Sequence, residues 1–222
     1  MGGQPICEFA WLGQVEYGEA WELQRRLARE RAEGARPDTL LLLEHPPVYT
    51  TGKRDAESNL LLPQELLGAP LVRTDRGGDI TFHGPGQLIA YPIIDLREAR
   101  LGVMDYVRRL EEVIIRTLRS YGIAAAAVCG LTGVWVGDEK IAAIGVRVGR
   151  PLGTGGWVTG HGLAVNVDVD LAWFQKIVPC GIADKGVTSM ERLLGGAPGV
   201  PDVTDRLCDQ FGDLFGREMR PA

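Results

Sequence analysis

Residues 133–148 read Gly-Val-Trp-Val-Gly-Asp-Glu-Lys-Ile-Ala-Ala-Ile-Gly-Val-Arg-Val. Two apolar runs, 133–136 and 140–148, flank the polar turn Gly137-Asp138-Glu139. This pattern predicts a β-hairpin. Since extended segments lie before and after this hairpin along the chain, we expect it to form part of a larger sheet.

The rest of the chain alternates irregularly between extended and helical patterns. Strands are predicted at Thr39–Leu43, Val48–Thr51, Leu71–Thr74, Asp79–His83, Gln87–Asp95 and Trp157–Val167. Helices are predicted at Tyr17–Glu33, Val103–Tyr121, Leu171–Ile177, Ser189–Leu194 and Val203–Phe215. Without a regular βαβ order, this mixture predicts an α/β (α+β) protein with a mixed sheet core and flanking helices.

The domain organisation follows from length and from one glycine-rich segment. A chain of 222 residues can bury a sizeable core, and we expect a single domain spanning residues 1–222. The segment Gly195-Gly196-Ala197-Pro198-Gly199 predicts a main body of about 1–194 and a small C-terminal helical piece of about 195–222.

Charge and hydropathy exclude several classes of partner. The net charge of −5 argues against a nucleic-acid partner, because phosphate binding needs clustered Lys and Arg. No apolar run approaches the ~20 residues that span a bilayer, and the N-terminus lacks the pattern of a secretory signal. We therefore expect a cytoplasmic protein without a membrane partner.

Four scattered cysteines supply the candidate nucleophiles. Cys7, Cys129, Cys180 and Cys208 form no Cys-x-x-Cys motif, which favours free thiols. We expect Cys7, Cys129 and Cys208 to be small core residues. Cys180 lies between Pro179 and Gly181, residues that can present a thiol at a fixed point, although a core position is an equal alternative from local sequence alone.

A thiol nucleophile needs a neighbouring base or cation, because its reactive form is the thiolate. Lys140 opens an apolar strand, where partial desolvation would lower the pKa of its amine. Such a lysine could take a proton from a thiol. A solvated hairpin lysine after Asp138-Glu139 is the simpler interpretation from spacing alone.

A glycine-rich segment runs from Arg76 to Gln87 and contains His83. Its two glycines, Gly77 and Gly78, permit exposed backbone N–H groups that suit an oxygen ligand. His83 could be a general base, a structural histidine or part of a lid, and His161 could be an ordinary loop histidine. The three histidines have no metal-ligand spacing, so we expect no metal and no cofactor.

Taken together, these segments resemble the octanoyl-[acyl-carrier-protein]–protein N-octanoyltransferase family, known as lipoate biosynthesis protein B. The resemblance covers roughly residues 40–192 and rests on five motifs in this order. They are Arg76–Leu88, Gly133-Val134-Trp135, Lys140–Arg147, His161–Val167 and Val178–Ile182. One departure is the glycine-rich segment 150–160, which is longer than in the family.

The resemblance implies a fold shared with biotin and lipoate protein ligases, and an acyltransferase activity. It implies that Cys180 forms an acyl thioester and that Lys140 lowers the pKa of that thiol and acts as acid and base. The implied substrate-binding residues form three groups. They are Arg76, Gly77, Gly78, Asp79, Ile80, Thr81, Phe82 and His83; Ala143, Ile144 and Gly145; and Gly162, Leu163 and Ala164.

The implied donor is octanoyl-acyl carrier protein. The implied acceptors are lipoyl domains of 2-oxoacid dehydrogenase E2 subunits and of the glycine cleavage H protein, and we expect a monomer. Two alternatives remain open: an ATP-dependent lipoate or biotin ligase, which would leave Cys180 idle, and a non-catalytic acyl-binding module.

Overall fold

The computed structural model describes residues 3–53, 57–149, 157–179 and 185–222. The predicted nucleophile Cys180 therefore lies outside the described residues, as do positions 150–156 of the glycine-rich segment. Pro179, the residue before Cys180, and Lys185, the fifth residue after it, are both described.

Strands and helices follow each other without a regular alternation. The strands are β1 (Ile6–Gln14), β2 (Asp38–Glu44), β3 (Val48–Thr51), β4 (Leu71–Arg73), β5 (Thr81–His83), β6 (Gln87–Ile93), β7 (Ala126–Val128), β8 (Leu131–Val136), β9 (Glu139–Gly149), β10 (Val158–Asn166), β11 (Gly186–Val187) and β12 (Glu218–Pro221). The α-helices are α1 (Tyr17–Ala32), α2 (Val103–Arg119), α3 (Met190–Leu194) and α4 (Val200–Phe215). Short 3-10 helices lie at Glu57–Asn59, Gln64–Leu66 and Leu171–Lys176.

The main sheet is mixed. Within the described ranges it has nine strands, in the order β12-β1-β2-β6-β10-β9-β8-β7, with β11 paired to β9. The β8–β9 hairpin predicted from residues 133–148 is present, with Val134 opposite Ala142 and Trp135 opposite Lys140. A smaller sheet, in the order β4-β3-β5, packs beside it. The predicted fold class is confirmed.

Two layers of helices cover the main sheet. Helices α2 and α4 pack together over one face, where Leu110, Ile114 and Phe211 are completely buried. Helix α1 covers the other face through Ala20 and Leu27, which contact the side of β6 and β10. Since both faces are covered, every residue of β6 is buried and its sequence has no polar alternation.

The smaller sheet has an aromatic core of its own. The rings of Phe82 and Trp173 stack with centroids 4.9 Å apart, and the ring of Tyr49 packs against Phe82. The Tyr49 hydroxyl donates a hydrogen bond to the Trp173 carbonyl. These contacts fix β5, and hence the segment before it, against the 3-10 helix at Leu171–Lys176.

The C-terminal segment packs against both a helix and the main sheet. Helix α4 packs on α2, and β12 pairs in parallel with β1 at the edge of the main sheet. The sequence patterns do not predict β1 and β12, because the residues of β1 are mostly half-buried, those of β12 are mostly exposed, and neither strand has a two-residue period. In the described ranges, no helix is long and apolar enough to cross a membrane.

Candidate active site

A pocket lies where β9 and β10 meet the segment that leads into β5. We call it the inner pocket, and it contains about 460 Å³ of space not filled by protein atoms, counting its open mouth. Its lining is more apolar than polar and is formed by Tyr17, Arg76, Gly78, Asp79, Thr81, His83, Ile89, Tyr91, Ala143, Ile144, Gly145, His161, Gly162, Leu163 and Ala164. This lining suits a small, largely apolar ligand.

The structure brings most of the predicted substrate-binding residues to this pocket, and three of them lie elsewhere. Ile80 and Phe82 are completely buried in the aromatic core of the smaller sheet, because alternate residues of a strand point to opposite faces. Gly77 lines a neighbouring pocket instead. Tyr17, Ile89 and Tyr91 also line the inner pocket, and none of them lies in the motifs described above.

The backbones of Gly52 and Val146 pack closely against the segment Arg76–Gly78. Its Gly77 N–H donates to the Val146 carbonyl, and a Cβ at Gly52 would lie 2.2 Å from the Gly78 carbonyl oxygen. The Arg76 guanidinium is buried and donates to the Thr50 carbonyl at 2.7 Å. Close approach of these backbones explains the glycines, since any side chain at position 52 would displace Gly78.

Lys140 is buried, with 6% of its surface exposed, and its Nζ lies 4.7 Å from the centroid of the Trp135 ring. The interpretation of Lys140 as a solvated hairpin lysine is therefore wrong. Lys140 lines a small pocket that also contains Pro179, and we call this the lysine pocket. Thr81 and Ala143 line both the lysine pocket and the inner pocket, so the two are adjacent.

A third cavity opens to solvent beside these two. This outer pocket contains about 950 Å³ of unfilled space, including its open side. It shares Gly78, Asp79, Ile144 and Gly145 with the inner pocket and Lys140 with the lysine pocket. The outer pocket therefore adjoins both the inner pocket and the lysine pocket.

All three histidines of the chain are buried, and two of them, His83 and His161, line the inner pocket. His45 Nδ1 lies 2.6 Å from the Val15 carbonyl, and its Nε2 lies 2.8 Å from the Tyr91 hydroxyl. His83 Nδ1 lies 2.7 Å from Gln87 Oε1, and its Nε2 faces the Thr50 hydroxyl at 3.3 Å. In each ring, one nitrogen donates and the other accepts, the pattern of a neutral imidazole.

The pKa values agree with neutral rings. Burial lowers the pKa of His45 to about 4. Burial, and then the neighbouring His45 and Arg76, lower the pKa of His83 to about 3. Because both nitrogens of His83 are engaged within the core, the structure supports the structural interpretation of this residue over the general base.

His161 is not the loop residue suggested as its ordinary interpretation. It is buried within β10 with φ of 54°, a conformation that costs free energy in a residue other than glycine. Its N–H donates to Gln24 Oε1 on α1, its Nε2 lies 2.8 Å from Asp75 Oδ1, and its Nδ1 lies 3.4 Å from the Tyr17 hydroxyl. These contacts tie α1 and the residue before Arg76 to β10.

The neutral histidines predict a loss of stability in mild acid. In the unfolded chain they take up protons near pH 6.5, whereas in the folded protein His45 and His83 do not until about pH 4 and 3. Their contribution is complete above pH 6.5 and is lost as the pH falls below it. We expect the free energy of unfolding to approach a slope of about 3 kcal/mol per pH unit near pH 5.

Urea denaturation at pH 7.5, 6.5, 5.8 and 5.2 measures this slope. His45→Gln removes one of these protons and should reduce the slope by about a third to a half, because burial also lowers the pKa of His161. This window lies above the range in which carboxylates titrate, so they contribute little. A free energy of unfolding that stays constant from pH 7.5 to 5.2 would contradict the prediction.

The described cysteines differ from one another in exposure. Cys7 and Cys208 are buried as predicted, and burial raises the pKa of both thiols, that of Cys208 to about 12. Cys129 is exposed, so its predicted core position is wrong. It directly precedes Gly130 in the tight connection between β7 and β8, where the chain turns at the surface. None of the three lines the inner, lysine or outer pocket.

Comparison with known proteins relates these pockets to a family. The family model described as lipoyl protein ligase A/B catalytic domain matches residues 16–212. A protein named octanoyltransferase from Chloroflexus aurantiacus is 50% identical over 215 residues, which cover 95% of this chain and 94% of that protein.

Solved structures show the same fold at low sequence identity. A bipartite lipoate protein ligase from Thermoplasma acidophilum, solved in a study of its lipoylation system and E2 lipoyl domain, is similar with a TM-score of 0.71 and 17% identity. The match covers 100% of this chain and 87% of that one. A biotin protein ligase from Aquifex aeolicus matches with a TM-score of 0.51 and 13% identity, over 94% of this chain and 69% of that one.

Proposed function

The chain belongs to the lipoyl protein ligase A/B catalytic-domain family and, within it, to the octanoyltransferases, and from this premise we propose that it transfers an octanoyl group from acyl carrier protein to lipoyl domains. It is an enzyme of the acyltransferase class. In the proposal the acyl group passes through a thioester on Cys180. The acceptors are lipoyl domains of 2-oxoacid dehydrogenase E2 subunits and the glycine cleavage H protein.

One observation carries the proposal. The buried amine of Lys140 shares a pocket with Pro179, the residue before Cys180, and this pocket adjoins the inner apolar pocket. A base, the chain neighbour of a thiol and a pocket for an acyl chain are thus within one small region. Acyl transfer by a thiol needs the thiol itself, a nearby base and a binding site for the acyl chain.

The first step exchanges one thioester for another. The Cys180 thiolate attacks the carbonyl carbon of the octanoyl thioester, and a new carbon–sulfur bond forms as the bond to the donor sulfur breaks. The departing sulfur takes a proton from the ammonium of Lys140 and leaves as a thiol. The apolar inner pocket holds the octanoyl chain during this exchange.

The second step forms the amide. A neutral lysine amine of the acceptor attacks the acyl-enzyme, and the carbon–nitrogen bond replaces the carbon–sulfur bond. Lys140, now neutral, accepts the proton that the attacking nitrogen loses, and Cys180 leaves as a thiolate. Since a thioester is less stable than an amide, the transfer proceeds without nucleotide.

Intact mass spectrometry tests the proposal. Wild-type protein mixed with octanoyl-acyl carrier protein, without ATP, is expected to gain one octanoyl group. Cys180→Ser should gain none, because a serine hydroxyl beside a lysine is a far weaker nucleophile than a thiolate. Cys129→Ser is the matched control, since it removes the exposed thiol and should leave the increment unchanged.

Two outcomes would exclude the mechanism. An increment that persists in Cys180→Ser would place the acyl group elsewhere. A wild-type protein that modifies a lipoyl domain only when ATP and free octanoate are supplied would be a ligase.

A further inference from the structure

One wall of the outer pocket is formed by a strand edge that has no partner strand at Ile144 among the described residues. The register between β8 and β9 ends at the pair Val134–Ala142, next to Gly133, whose φ is 120°. Further along the same edge of β9, the carbonyl of Val146 accepts a hydrogen bond from the N–H of Gly77. Ile144 lies midway between these two contacts and lines the pocket.

Strand geometry fixes the direction of the Ile144 peptide groups. On its other edge β9 pairs with β10 in an unbroken antiparallel register from residue 142 to 149. In such a ladder, alternate residues direct both N–H and C=O to the same side. The Val146 carbonyl points to the outer pocket, so the N–H and C=O of Ile144 point there too.

The surroundings of this edge are mixed in polarity. Val107 of α2 and Leu131 of β8 are half-buried and offer apolar contacts across the pocket. The amine-bearing Lys140 lines the same pocket, four residues before Ile144 on β9 and about 13 Å along the strand. A ligand on this edge would therefore be linear, contain amides and methyl or methylene groups, and end near Lys140.

We infer that the outer pocket binds the thiol arm of the acyl donor, a pantetheine-type chain whose amides pair with the open edge of β9 at Ile144. The inference rests on the proposed function. Extended chains that carry amides bind exposed strand edges through main-chain hydrogen bonds. Pairing at Ile144 holds the arm alongside β9 and directs its thioester toward Lys140.

A comparison of two donors tests the role of the amides in wild-type protein. Octanoyl-pantetheine contains both amides of the arm, and the octanoyl thioester of 2-mercaptoethanol contains none. We expect kcat/KM for acyl-enzyme formation, followed by intact mass, to be at least tenfold higher for octanoyl-pantetheine. Equal values for the two donors would overturn the inference.

A variant pair tests the location. Thr132 is exposed and lines the outer pocket, so Thr132→Trp should fill it and bring the ratio of the two kcat/KM values close to one. Ala127→Trp places the same side chain at an exposed position of β7 that does not line the pocket, and should keep the wild-type ratio.

Each result has one meaning. If Thr132→Trp keeps the wild-type preference for octanoyl-pantetheine, the inference is overturned. It is also overturned if Thr132→Trp slows only transfer onto the lipoyl domain, because the outer pocket would then bind the acceptor. If Thr132→Trp does not fold, the donor comparison in wild-type protein decides alone. A wild-type protein that forms no acyl-enzyme from any donor would contradict the proposed function itself.

Discussion

Lys140→Ala is expected to slow transfer of the octanoyl group to a lipoyl domain by about 10²–10⁴-fold, the usual range for loss of a general acid–base group. In the proposed mechanism the Lys140 amine gives a proton to the departing thiol and then takes one from the attacking lysine. Without it, the donor sulfur leaves unprotonated and the incoming amine keeps its proton. Single-turnover measurements should show both acyl-enzyme formation and its aminolysis slowed.

The matched control is Lys185→Ala. Lys185 lies near the same region and forms an ion pair with the exposed Asp138, but it does not line the inner, outer or lysine pocket. Its removal should change the rate less than threefold. Wild-type rates in a folded Lys140→Ala variant would remove Lys140 from the mechanism.

Asp38→Ala is expected to lower the free energy of unfolding by about 3–5 kcal/mol, as when one member of a buried ion-pair network is removed. The Asp38 side chain is 2% exposed, and its two oxygens accept hydrogen bonds from Arg31 Nε at 2.7 Å and Arg217 Nε at 2.8 Å. The alanine variant leaves two buried guanidinium groups without that carboxylate. Urea denaturation followed by circular dichroism measures the loss.

The control is Glu218→Ala on β12, where the ion pair with Arg220 is about half exposed. An exposed pair contributes ~0.2–1 kcal/mol, so the control should change little. Because Arg217 follows α4 and Asp38 begins β2, we propose that residues 195–222 unfold together with the main body. Tryptophan fluorescence and circular dichroism should give one coincident transition, and a separate C-terminal transition would contradict this.

Much of the fold could be predicted because its central strands and longest helices have strong patterns. The run around Leu40–Leu43 and the stripe of α2 each indicate burial directly, and both elements lie where they were expected. Strands β1 and β12 could not be predicted, because their register depends on pairing between residues about 210 positions apart, such as Ile6 with Glu218. The predicted family is confirmed.

The sequence motifs predict only some of the residues that line the inner pocket. The predicted residues 143–145 of β9 and 162–164 of β10 line the inner pocket, whereas Ile80 and Phe82 do not, because a contiguous motif in a strand includes both of its faces. Tyr17, Ile89 and Tyr91 have no motif and reach the pocket only through the packing of α1 and β6. The roles of Cys180 and Lys140, the cytoplasmic location and the monomeric state stay predictions.

The burial of the histidine rings affects how the pH dependence of turnover is interpreted. Above pH 6.5, the rings of His45 and His83 remain uncharged as the assay buffer is varied, since burial lowers the pKa of both. An inflection in turnover between pH 7 and 9 therefore does not come from ionisation of His45 or His83. The profile can be interpreted without a correction for these two side chains.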